Sequence, residues 1–121
     1  MPYRLSITTQ GQLIEIEAAS IAQWGDRAAD RYQDLLYKVF DELGRDPFPL
    51  GHEEISADPE ILGYHICHSR THLPLDQRVR EPRHIVVYCT GPNGTTDIFG
   101  LAYDTMELDK VARRLVGQAV F

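Results

Sequence analysis

Apolar and polar residues alternate at the start of the chain, with Tyr3, Leu5 and Ile7 set against Arg4, Ser6 and Thr8. A period of two is that of a strand with one face buried. The period then lengthens. Leu13, Ile14, Ala18, Ile21 and Trp24 fall on one arc of a helical wheel, with Glu17 as an intruder. This predicts an amphipathic helix with that arc against the core. Gly25 follows where a glycine in the left-handed conformation ends a helix, and Asp26 is placed to N-cap the next one. From there Ala28, Tyr32, Leu35, Leu36, Val39, Phe40 and Leu43 share a face opposite Asp30, Arg31, Asp34, Lys38 and Asp41, until Gly44 and Pro47 close the pattern. Trp24-Gly25-Asp26 therefore reads as the corner of an antiparallel helical hairpin, with Trp24 plugging the gap between its two apolar faces.

Residues 45–60 are rich in Pro, Gly and acidic side chains and read as a loop. The stretch 63–69, GYHICHS, reads as a strand, 71–82 as a long loop, and 83–89, RHIVVYC, as the clearest strand of the chain. GPNG at 91–94 is a turn and TDIFGLAY at 96–103 a further strand. Asp104 with Glu107 resembles a capping box, ahead of a last helix on Leu108, Val111, Ala112 and Leu115. An N-terminal strand, a helical hairpin, a three-stranded antiparallel run and a C-terminal helix make an α+β domain, with the helices expected on one face of the sheet. At 121 residues a single domain is expected.

Charge adds an asymmetry. Residues 1–60 carry five basic and twelve acidic side chains, while residues 61–121 carry seven and six. Arg70, Arg78, Arg80 and Arg83 gather in the second half, where a face for a partner is expected, and the acidic total of −6 argues against an indiscriminate nucleic-acid binder. The N-terminus has no signal-peptide pattern and no apolar run approaches the ~20 residues of a membrane span, so a cytoplasmic protein without a membrane partner is expected. Cys67 and Cys89 are expected as free thiols in strands. His65, Cys67, His68 and His72 have the side chains for a metal site, but strand alternation aligns only His65 and Cys67, too few for a closed one. No metal and no cofactor is expected.

Three segments carry a family resemblance. Residues 21–43, IAQWGDRAADRYQDLLYKVFDEL, have the helix, aromatic-Gly corner, Ala and Tyr-x-x-x-Leu of the ParE/RelE toxin superfamily. RVREPRHIVVY at 78–88 is similar to its Arg-Val-x-x-Pro-Arg-His approach to a strand, and TDIFGLAYDTMELDKVARRL at 96–115 to its Asp-Ile-x-Arg-x-Leu-His-Asp-x-Met-Asp ending. In order and spacing the chain resembles the ParE-like branch, the plasmid stabilisation proteins, over roughly residues 3–115. The resemblance implies the toxin of a type II toxin–antitoxin pair, held silent by the amphipathic helix of a cognate antitoxin on the helical hairpin or sheet edge. ParE-like members are associated with poisoning DNA gyrase, and RelE-like members with cleaving mRNA on the ribosome. A homodimer and a toxin–antitoxin hetero-oligomer are both compatible with it.

Two departures bear on the activity. Gly100 stands where the family ending has Arg, and Tyr103 where it has His. That weakens a nuclease reading and leaves open an inactive relative. Metal-free RNA cleavage needs a base for the 2′-hydroxyl and cations for the phosphate transition state. Arg83, His84 and Tyr103 are the candidates, with Arg70 as a further cation. Alternation sets His84 with Val86 and Tyr88, opposite Arg83 and Val87, and sets Tyr103 with Phe99 and Leu101. In the bland reading Arg83 pairs with Glu81, Tyr103 is a core-edge tyrosine and Gly100 permits a bulge or close approach. For a gyrase-directed toxin the expected contact surface is Arg70, Arg78, Arg80, Arg83, Tyr103, Asp104 and Met106.

Overall fold

The longest apolar runs form the middle of a five-stranded sheet. The computed structural model describes residues 3–79 and 82–121. Along the chain come β1 (Tyr3–Leu5), α1 (Ile7–Trp24), α2 (Asp26–Arg45), β2 (Glu53–Glu54), β3 (Leu62–His65), α3 (Ile66–Arg70), β4 (His84–Thr90), β5 (Thr96–Tyr103) and α4 (Leu108–Gly117), with 3-10 turns at Leu75–Gln77 and Pro92–Gly94. The sheet order is β1-β5-β4-β3-β2, with β1 parallel to β5 and the other neighbours antiparallel. The architecture is mixed α+β. None of the described helices is long and apolar enough to cross a membrane.

The helices do not gather on one face, as the order of elements had suggested. Tyr3, Leu62, Tyr64, Val86, Tyr88, Ile98 and Leu101 pack against Leu13 of α1 and against Leu35, Leu36, Val39, Phe40 and Leu43 of α2. On the other face Val87, Phe99 and Ala102 pack with Ile55, Ile61 and α4, through Val111, Ala112 and Leu115. The reason lies in β4, where every residue from His84 to Tyr88 is buried. Such a strand needs cover on both sides.

A bulge breaks the alternation of β5. Val87 pairs with Gly100 but Tyr88 with Ile98, which leaves Phe99 as the extra residue. Tyr103 keeps the face of Leu101, while Phe99 turns to the opposite core, contrary to the simple parity expected from the sequence. Gly100 fits this place because a Cβ there would lie 2.7 Å from Leu115 Cδ2.

The largest correction concerns α1. Ile14, Ala18, Ile21 and Trp24 were expected in the core, yet all are exposed, Ile14 to 72% and Trp24 to 68%. Trp24 plugs nothing. Only Thr9 and Leu13 of this helix are buried. Its inward side is set by hydrogen bonding. β1 pairs only as far as Ile98, while β5 continues to Tyr103. The edge beyond is satisfied by polar side chains at the start of α1. Ser6 Oγ donates to Phe99 O at 2.8 Å and Thr9 Oγ1 to Ile98 O at 3.2 Å. Gln12 acts as a surrogate strand residue, its Nε2 donating to Leu101 O at 3.0 Å and its Oε1 accepting from Leu101 N at 2.8 Å. A sheet edge under a helix has no water to bond, so its groups take the polar side of that helix.

α2 follows its sequence pattern, with Leu35, Leu36, Val39, Phe40 and Leu43 buried. The joint between the helices is one residue. Gly25 has φ 89 and ψ 171, a positive-φ conformation outside the left-handed helical region. Its N–H donates to Ile21 O and its carbonyl accepts from Ala29 N, so it ends one helix and begins the next. Asp26 is therefore the first residue of α2 and makes no cap bond; its charge still suits the helix N-terminus. Asp104 and Glu107 form no capping box, since Glu107 is itself the N-cap residue of α4 without a side-chain bond. The 63–69 stretch is divided, strand to His65 and helix from Ile66, and the 45–60 loop contributes the two residues of β2. Cys67 thus lies on a helix and Cys89 on a strand, both as free thiols.

Candidate functional site

β4 begins where β5 ends, and this corner gathers the candidate chemistry. His84 and Tyr103 are cross-strand partners. Their rings lie 4.5 Å apart between centroids, tilted by 38°. Tyr32 reaches in from α2, its hydroxyl hydrogen-bonded to His84 Nδ1 and its ring 5.5 Å from the imidazole. Asp104 N donates to Arg83 O at 3.0 Å, and Arg83 Nε lies 3.5 Å from Asp104 Oδ1. Met106 N donates to Tyr103 O at 3.1 Å, which turns the chain so that Tyr103, Asp104 and Met106 are all exposed beside Arg83.

Burial decides the protonation of His84. The side chain is 8% exposed, and desolvation pushes its pKa from 6.5 down to about 4, against a smaller upward pull from Asp104. Burial also raises the pKa of Tyr32, so its phenol keeps its proton at neutral pH. A neutral imidazole and a protonated phenol share this one hydrogen bond, whose direction follows the tautomer of His84. With a pKa of about 4, His84 stays uncharged at neutral pH. It fixes Tyr32 and Tyr103 and is a poor base at pH 7. What remains outward is an aromatic ring, a thioether and an Arg–Asp pair, side chains suited to protein contact.

The other predicted residues are placed apart from this use. Arg70 Nη1 donates to Val79 O at 3.1 Å. Arg78 donates to Leu73 O and to Thr71 O, both at 2.9 Å. These guanidiniums hold the 71–79 loop in shape, so their charge is tied to backbone carbonyls. Arg80, and Glu81 as the partner expected for Arg83, lie outside the described residues; the partner seen for Arg83 is Asp104. His65 pairs with Glu53 at 3.1 Å, and His68 lies against Tyr64 and His65. Among the described residues no three His, Cys, Asp or Glu side chains converge as metal ligands.

Sequence reasoning missed Tyr32 as a site residue. It belongs to the apolar arc of α2, and nothing local separates a tyrosine that fills the core from one whose hydroxyl meets a histidine 52 positions away. The Tyr-x-x-x-Leu of the resemblance was the only signal. Set against known proteins, the chain matches no family model and no curated protein.

Proposed function

We propose that this protein is the toxin of a type II toxin–antitoxin pair, a ParE-like protein that disables DNA gyrase by occupying its surface and is held silent by a cognate antitoxin. One observation carries the reading. The three segments that resemble the ParE/RelE superfamily supply the parts of a single corner: Tyr32 from the first, Arg83 and His84 from the second, Tyr103, Asp104 and Met106 from the third. A shared site gives these distant segments a common reason for their pattern. The finer description of the fold as ParE/RelE-like belongs to the same proposal, supported by the order of strand, helical hairpin, antiparallel run and final helix.

A binding role is favoured over turnover by the state of His84, neutral and bonded to Tyr32. The adjacency of His84 and Tyr103 supports a second reading, a ribosome-dependent mRNA endonuclease using Arg83, His84 and Tyr103. Tightly controlled induction of the chain in a bacterial host separates them. A gyrase poison arrests growth, blocks supercoiling in purified form and spares early protein synthesis. A nuclease stops translation first and loses toxicity on Tyr103→Phe. Unimpaired growth with soluble, folded protein present sinks both and leaves an inactive relative.

A further inference from the structure

The segment 46–52, DPFPLGH, holds two large apolar side chains out in solvent, Leu50 at 97% exposure and Phe48 at 58%. It does so from a fixed frame. Pro47 and Pro49 restrict their own φ angles. Asp46 N donates to Glu42 O at 2.9 Å, and Phe48 N to Asp46 Oδ1 at 3.1 Å. The Tyr88 hydroxyl donates to Pro47 O at 2.6 Å, which ties the segment to the sheet. His52 N donates to Pro49 O at 3.0 Å across a turn in which Gly51 has φ 100. An apolar tip held this firmly loses little freedom when it is bound.

Charge narrows what the tip can meet. Residues 46–60 hold five acidic side chains, Asp46, Glu53, Glu54, Asp58 and Glu60, and no lysine or arginine. Such a base is repelled by an anionic lipid surface and by nucleic acid. It suits an apolar hollow with cations at its rim, and this chain has one. Leu35 and Leu73 lie in a hollow of about 170 Å³ between α2 and the 71–79 loop, together with Arg31, Asp34 and Lys38. Small-molecule sites run to roughly 300–1,000 Å³, so this one is of side-chain size. Among the described residues Arg31 makes no ion pair, and Lys38 reaches Glu42 only at 3.8 Å. The tip does not fill the hollow of its own copy. Arg45 is about 15 Å along α2 from Leu35, and the segment beyond it is tied to Tyr88.

We infer that copies of this protein bind one another knob into hole, Leu50 of one copy entering the hollow of Arg31, Leu35, Lys38 and Leu73 on the next, with the acidic base of the tip against the cationic rim. The contact joins unlike patches, so every copy has one knob and one hole to offer. This goes beyond the toxin reading and does not depend on it. One tip in one hollow is a smaller contact than a standard interface of about 1,600 Å², so reversible association near about 0.1 mM is expected.

Sedimentation equilibrium of the full chain, from about 10 μM to about 1 mM, tests this. The average mass should rise with concentration, and less steeply in high salt. Leu50→Ser and Arg31→Glu, both at exposed positions, should each weaken association by at least about tenfold while the circular dichroism stays unchanged. Mixed together, the two variants should associate again, since the first keeps the hole and the second keeps the knob. A monomer throughout the range overturns the proposal. So does association that Leu50→Ser leaves intact, or a mixture of the two variants that stays monomeric where the unaltered chain associates. Dissociation by Ile14→Ser with none by Leu50→Ser also overturns it and gives the contact to the exposed side of α1.

Discussion

The two helices of the hairpin have similar length and opposite logic. α2 turns its apolar arc inward, as its sequence says, and fills the core with Leu35, Leu36, Val39, Phe40 and Leu43. α1 keeps Leu13 in the core but turns the rest of its apolar arc outward, and with its N-cap Ser6 presents Thr9 and Gln12 to the edge of β5. Hydrophobic burial orients the first and backbone hydrogen bonding the second. Water offers apolar groups no substitute for a core, but a hidden strand edge is equally exacting, because each unpaired N–H or C=O costs about 1–3 kcal/mol. Where one face of a helix must serve both demands, the polar one can prevail.

The contrast is broken most severely in α2. Phe40 is fully buried, and Phe40→Ala should cost about 3–5 kcal/mol in urea denaturation. The next effect is one of pH. His84 binds its proton near 6.5 when unfolded and near 4 when folded, so between those values the unfolded chain holds more protons. Stability is complete above pH 6.5 and falls as pH drops through the window to about 4, by an amount on the order of 3 kcal/mol. Melts across this range should show the slope, and His84→Phe should flatten it.

On α1 the polar residue should matter more than the large apolar one. Gln12→Ala removes the partner of both Leu101 backbone groups and should cost about 2 kcal/mol. Ile14→Ser, at a position of 72% exposure, should change the stability by less than about 0.5 kcal/mol. If the order of these last two were reversed in the same denaturation series, the account of the two helices would fail.

What could be read from the sequence follows the same division. α2, β4 and β5 announce themselves because burial on one or both faces writes a strong apolar period. α1 was found as a helix but turned the wrong way, since a wheel shows where apolar residues lie and not which side meets a strand edge. The switch from strand to helix between His65 and Ile66 is too short for a period to form. The bulge at Phe99 shifts parity by one residue, and Gly100 was its only trace. Arg83, His84 and Tyr103 were named from the family resemblance and strand alternation, and the structure brings them to one corner through a pairing the sequence did not show. Tyr32 was not, and neither was the use of Arg70 and Arg78 as clasps for the 71–79 loop, because both depend on contacts between elements.

The parallel pairing of β1 with β5 joins Tyr3 to Thr96. On a ribosome that relation is a delay. At about 5–20 residues per second, the first strand and the hydroxyls and amide at the start of α1 wait roughly 5–20 s before the edge they complete has been made. Throughout that interval Ile14, Ile21 and Trp24, which the finished fold leaves exposed, are already synthesised.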